Sequence, residues 1–162
     1  DELVEEVGVD AARYFFIDRR MSQPLDFDIE LAKDRSDENP VCYIQYAHAR
    51  ICNIIRHAEE KGHVVPEKTP TDLLTEELEL LLIKKLIDFQ DVVSKAAHYL
   101  EPHRVTTFLT ELATAFHRFY HHHQVVSENI DLTNARLMLC KATMQVLANG
   151  LKLLGITAPK NM

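Results

Sequence analysis

An all-α helical bundle is the fold class this sequence predicts, on three observations. Apolar residues recur at helical spacing through nearly the whole chain, no segment keeps an alternating period of two long enough for a strand, and the periodic stretches are separated by short Gly- or Pro-containing breaks. With 162 residues, 46% hydrophobic and 27% charged, the chain can bury one substantial core. Long helices joined by short loops pack as a bundle.

Along the chain, a helical pattern covers Asp1 to Val7, and starting at Asp1 rather than Met suggests a cut inside a larger protein. Gly8 breaks this pattern, and Asp10 is placed to cap a second helix over Ala11–Arg20. Ser22–Phe27, with Pro24, reads as a loop, Asp28–Arg35 as a short helix, and Ser36–Pro40 as its exit. A long helix then runs from about Pro40 to Lys61. Proline suits a first-turn position, and Gly62 is a suitable stop.

His63–Thr71 holds two prolines and reads as a linker. Asp72 or Thr75 opens the next helix, with Glu76, Glu77 and Glu79 near its positive end, and this pattern lasts to about Leu100. Glu101-Pro102 restarts a helix that reaches His121–His123. Val125–Asp131 connects it to a last helix over Leu132–Leu154, with Gly155 as stop. In that last helix Leu132, Leu139, Val146 and Leu153 repeat every seven residues with Ala135 and Ala142 between them, which predicts a core seam. Asn134, Met138, Lys141, Gln145, Asn149 and Lys152 would then face solvent.

Composition excludes several classes of function. Four glycines are too few for a glycine-rich phosphate loop, and no apolar run approaches the roughly 18 residues of a membrane span. No signal peptide is visible. Three cysteines without C-x-x-C spacing fit neither a disulfide framework nor a zinc site, and they suit a reducing, cytoplasmic setting. The net charge of −7 is unevenly spread. Residues 1–38 hold 12 Asp and Glu against five Lys and Arg, whereas residues 39–162 are balanced and carry all nine histidines. A polyanion surface is therefore permitted in the later part.

On a helical wheel of the segment after Pro40, Val41, Ile44, Ala47, Ile51, Ile54, Ile55 and Ala58 fill a broad apolar arc. Tyr43, Tyr46, Arg50, Asn53 and His57 share a separate narrow arc, with Arg56 near its boundary, and no acid occurs between Asn39 and Ala58. Two readings fit this stripe. The tyrosines pack on a neighbouring helix with wet hydroxyls, or they form a platform for unstacked bases, with Arg50 beside them for phosphate or a base edge. Arg136, away from the polar row, is either one partner of a partly buried salt bridge or a ligand contact. His117 and His121 have the spacing of helical metal ligands, but no acid or cysteine joins them and H-E-x-x-H is absent, so no metal is expected. A polar helix end accounts for them instead. The cysteines read as small apolar packing groups. No catalytic set of nucleophile and base, or of paired carboxylates, is present.

Three segments together closely resemble bacterial arginyl-tRNA synthetases. They are Val9-Asp10-Ala11-Ala12-Arg13-Tyr14-Phe15-Phe16, Leu25-Asp26-Phe27-Asp28, and Asn39-Pro40-Val41-Cys42-Tyr43-Ile44-Gln45-Tyr46-Ala47-His48-Ala49-Arg50. The ending, with Asn134-Ala135-Arg136-Leu137, Val146-Leu147-Ala148-Asn149-Gly150-Leu151, Leu154-Gly155-Ile156 and Met162, resembles them too. The resemblance runs end to end, and Tyr-x-Gln-Tyr-x-x-x-Arg is its most specific part.

The resemblance implies a class I aminoacyl-tRNA synthetase whose parent ligates arginine to tRNA(Arg) with ATP and magnesium. It also implies a chain without either class I signature, hence with no catalytic residue and no cofactor of its own. Residues 1–38 would be linker and short helices adjoining the catalytic domain of the parent chain, and the acidic excess there fits such a surface. Residues 39–162 would be the helical anticodon-binding domain. Tyr43, Tyr46, Arg50, Arg56, Tyr120 and Met162 map onto its anticodon contacts. tRNA(Arg) is then the partner, and neither a membrane nor DNA is expected. The rival reading is a helical protein–protein interaction module that uses the Tyr43, Tyr46 and Arg50 face as anchors.

Overall fold

The computed structural model describes all residues except Asp1, Met21, Gln23, Leu25 and Pro66. The expectations that touch Asp1, and Leu25 in the resembling segment, lie outside the described residues. Among the described residues the chain forms seven helices and no strand. They are α1 (Glu2–Val7), α2 (Val9–Ile17), α3 (Ile29–Lys33), α4 (Pro40–Glu60), α5 (Glu77–Tyr99), α6 (His103–His122) and α7 (Ile130–Leu153).

Local chemistry sets most of the boundaries. Gly8, at φ 85°, separates α1 from α2 in a conformation that side chains with a Cβ resist. Asp28 caps α3 by accepting from the Leu31 N–H at 2.9 Å. Asn39 caps α4 by accepting from the Val41 N–H at 3.1 Å, and its amide donates back to the carbonyls of Ala32 and Asp34. One buried side chain thus joins the end of α3 to the start of α4. At the far end of α4, Gly62 at φ 84° lets the His63 N–H return to the Ala58 carbonyl at 2.9 Å, which closes a left-handed stop. The α5–α6 hairpin makes a similar stop without glycine. Leu100 takes φ 56°, and the Glu101 N–H reaches the Ala96 carbonyl at 2.9 Å.

Three sequence expectations shift. Asp10 does not cap α2; Gly8 precedes the helix, and the Asp10 carboxylate reaches across to α4 and the C-terminal segment. The start of α5 falls at Glu76, whose N–H donates to Glu79 Oε2 at 3.0 Å, rather than at Asp72 or Thr75. On α7 the seven-residue seam is displaced. Leu153 is 59% exposed and Ala142 is exposed, whereas Thr133, Leu137, Cys140, Thr143, Leu147 and Leu151 are fully buried. The reason is that α7 meets α4, α5 and α6 together, so its buried arc is wide and includes polar positions. Thr143 satisfies its hydroxyl on the Leu139 carbonyl at 2.8 Å, and Thr133 bonds Ser127.

α4 to α7 form the bundle, and α6 packs on α4, α5 and α7 as well as on α2. Leu109, Leu112, Phe116 and Phe119 put its apolar face in the centre of the core. Gly150 on α7 permits the close α6–α7 crossing, because a Cβ there would meet Leu109 Cδ2 at 2.5 Å. The three short helices join the same core through Val7, Ala11, Ala12, Tyr14 and Ala32. Tyr14 is 2% exposed and shares a 3.1 Å hydrogen bond with Thr110 on α6.

Arg136 resolves as the structural alternative. Its Nε donates to Glu79 Oε1 at 2.8 Å and its Nη1 to the Gln124 carbonyl at 2.9 Å. The two side chains are 10% and 0% exposed. The cysteines are packing groups, as expected: burial raises all three thiols, and Cys140 is pushed up to about 12. Such thiols are not nucleophilic at neutral pH.

Candidate nucleic-acid interface

Where α4 and α6 lie side by side, before the α6–α7 connection, the bundle surface opens into a hollow. Its volume, about 1370 Å³, exceeds the roughly 300–1,000 Å³ of pockets that enclose one small molecule. It is open along its length and suits a polymer segment better than a metabolite.

The α4 stripe supplies one wall. Tyr43, Tyr46, Arg50, Asn53 and His57 all line it, because i, i+3 and i+7 spacing puts them on one face. The tyrosine hydroxyls are not simply wet. Tyr43 donates to Thr114 Oγ1 on α6 at 3.3 Å, and Tyr46 to the Arg35 carbonyl at 2.6 Å. Each ring is therefore anchored at its polar end and half-buried, with the rest of its surface contributing to the hollow. Packing and display are compatible at these two positions.

The second wall comes from α6. Tyr120 is 39% exposed. Its ring stacks on buried Phe116 with centroids 6.0 Å apart, and the Arg50 guanidinium lies 5.5 Å from its centroid. That contact combines a fixed cation with an aromatic face. Arg118, His121, His122, His123 and Gln124 continue the wall, and Lys61 lies at the far end of α4. Asp37 is the one carboxylate side chain among the described lining residues. Met162 completes the hollow from the C-terminal segment.

Of the six residues assigned from the sequence, the structure brings Tyr43, Tyr46, Arg50, Tyr120 and Met162 together. Arg56 lies outside the lining. It donates to Asn53 Oδ1 at 3.0 Å and approaches Glu60 one turn on, so it steadies a lining amide instead of lining the hollow itself.

The sequence reading missed His117, Thr114 and Arg118. His117 packs on the Tyr43 ring with centroids 4.8 Å apart. Its Nε2 is buried without a hydrogen-bond partner. Burial, and then the Arg50 charge, hold its imidazole below the usual histidine range. In the sequence it showed only as an i, i+4 histidine pair, which read as a polar helix end. Among the described residues no three His, Cys, Asp or Glu side chains are grouped to hold a metal.

The arrangement offers anchored aromatic faces, fixed cations and amide or imidazole edges in one open groove. That is the combination that receives unstacked bases of single-stranded RNA.

Comparison with known proteins points the same way. The sequence profile of the DALR anticodon binding domain matches residues 44–162. The Arginine--tRNA ligase of Desulforudis audaxviator is 53% identical over 165 residues, covering 100% of this chain and 29% of its own length. That of Acidithiobacillus ferrooxidans is 49% identical, over 99% and 28%. The structure of Thermus thermophilus arginyl-tRNA synthetase superposes with a TM-score of 0.81 at 30% identity, over 99% of this chain and 27% of that one. The chain thus spans less than a third of the length of the curated relatives it matches.

Proposed function

Because the chain belongs to the DALR anticodon-binding domain family, we propose that the hollow between α4 and α6 receives the anticodon loop of tRNA(Arg). The observation that carries this reading is the convergence of Tyr43, Tyr46, Arg50, Tyr120 and Met162 on one open surface, from segments far apart in the chain. Loop bases leave their stack and lie against Tyr and Met side chains. Arg50, held beside Tyr120, meets a phosphate or a base edge. Asn53 presents a polar edge and Arg56 acts through it, while His117 backs the Tyr43 ring. Discrimination arises because a wrong base leaves such polar edges unpaired once the loop covers them.

The similarity to arginine–tRNA ligases supports a parent protein that activates arginine with ATP and magnesium and transfers it to tRNA(Arg). These 162 residues carry neither a glycine-rich phosphate loop nor a class I signature. ATP and its metal therefore belong to a catalytic domain outside the chain, and the residues described here bind RNA without catalysing the ligation. Residues 1–38, with α1–α3, adjoin that domain, and residues 39–162 form the anticodon-binding unit. The place of action is the cytoplasm. No helix among the described residues is long and apolar enough to cross a membrane.

The location can be mapped by NMR titration with a tRNA(Arg) anticodon stem-loop. Resonances of Tyr43, Tyr46, Arg50, His117 and Tyr120 are expected to shift, and those of Ile87, exposed on α5 and not among the lining residues, to stay in place. Shifts centred on α5 or α1 would put the interface elsewhere.

A further inference from the structure

The residues before Met162 are fastened to the bundle by polar side chains that the base-binding role does not use. Gln45, 6% exposed, donates from Nε2 to Asp10 Oδ2 on α2 at 2.9 Å and to the Thr157 carbonyl at 3.0 Å. Asp10 Oδ1 accepts the Thr157 N–H at 3.2 Å, and the Thr157 hydroxyl donates to the same carboxylate. One turn along α4, His48 Nδ1 lies 2.7 Å from the Pro159 carbonyl. A carbonyl only accepts, so Nδ1 carries the proton. Gly155, at φ 68°, turns the chain out of α7 toward these partners, and a Cβ there would meet Arg13 Nη1 at 2.7 Å.

The geometry limits where the end of the chain can go. From Leu154, which caps α7, eight free residues could extend roughly 26–29 Å. With Pro159 fixed, Met162 lies within about 11 Å of it. Gln45 and His48 lie on a different arc of α4 from Tyr46 and Arg50, but the segment they hold crosses within this short reach to the hollow, where Met162 is found. Apolar side chains at 45 and 48 would also cover the segment. They would not fix its register, which here is set by bonds to two particular backbone carbonyls, those of Thr157 and Pro159.

We infer that Asp10, Gln45 and His48 are positioning residues: they form a clasp that places Met162 in the hollow. Through it α2, which lines no part of the hollow, sets how strongly the loop is held. The inference rests on the reading that the hollow binds a tRNA loop.

The test uses Asp10→Ala, a half-buried position in the first turn of a helix, and Thr157→Val, which removes one exposed hydroxyl. Circular dichroism should show helix content retained in both, and if Asp10→Ala fails to fold, Thr157→Val carries the test. In the free protein, the heteronuclear 15N NOE of Lys160 and Asn161 is expected to fall from ordered-backbone values to those of a loose tail. The dissociation constant for the stem-loop is expected to rise about three- to tenfold in Asp10→Ala and by a similar factor in Met162→Ala. The double variant should bind no more weakly than Met162→Ala alone, because both changes remove one contribution.

Multiplying effects in the double variant, or an unchanged NOE, would overturn the clasp. If the wild-type domain fails to bind the stem-loop at all, the tRNA reading fails, and the NOE then decides the clasp alone. A released tail supports it and an unchanged one refutes it.

Discussion

Arg136→Ala is expected to destabilise the domain by about 3–5 kcal/mol, because it leaves the fully buried Glu79 carboxylate without its counter-ion. For a domain of this size that lowers the thermal midpoint by roughly 10 °C. Glu79 also accepts the Glu76 N–H at the start of α5, and Arg136 also holds the Gln124 carbonyl at the start of the α6–α7 connection. The pair therefore joins α5, α7 and that connection. Replacing both partners together, as Glu79→Leu with Arg136→Met, should recover most of the loss, since no charge is left unpaired. Thermal unfolding of the three variants checks this. An Arg136→Ala protein with unchanged stability and lost RNA affinity would show that the residue acts on ligand.

Tyr43→Ala and Tyr46→Ala are each expected to weaken anticodon-loop binding by about 1–3 kcal/mol, with helix content little changed. Both rings line the hollow and are only half-buried, so their removal opens surface and not core. Tyr46→Phe should keep most of the affinity, because the bond to the Arg35 carbonyl anchors the ring while stacking needs only its face. Isothermal titration beside circular dichroism separates binding from folding. A variant that unfolds would mark its tyrosine as a packing residue first.

Helix boundaries were legible wherever one residue's backbone chemistry decides them. Asn39-Pro40, Gly62 and Gly155 each stop or start a helix where the sequence placed it. The aromatic stripe on α4 was legible because it follows a single period on a single helix. Contacts between distant segments left no such trace. Gln45 and Thr157 are 112 residues apart, and Asp10 looked like a cap because a carboxylate near a helix start usually is one. His117 read as part of a polar helix end because its actual neighbour, Tyr43, lies on another helix. On α7 the apparent seam misled because Thr133 and Thr143, polar by type, are buried with their hydrogen bonds made internally. Pattern alone assigns such residues to solvent. The acidic excess of residues 1–38 was visible in composition, but α1–α3 also share the common core, through Val7 and Tyr14.

The most direct test of the central claim is binding of a tRNA(Arg) anticodon stem-loop, beside the same stem with a scrambled loop, at about 50 and 200 mM salt. The account predicts loop-selective binding that weakens as salt rises, because Arg50, Arg118 and Lys61 meet phosphates whose counterions are released. Equal binding to both loops would contradict it by reducing the hollow to a general polyanion surface. Selective binding indifferent to salt would contradict a phosphate contact by Arg50 and the neighbouring lining cations.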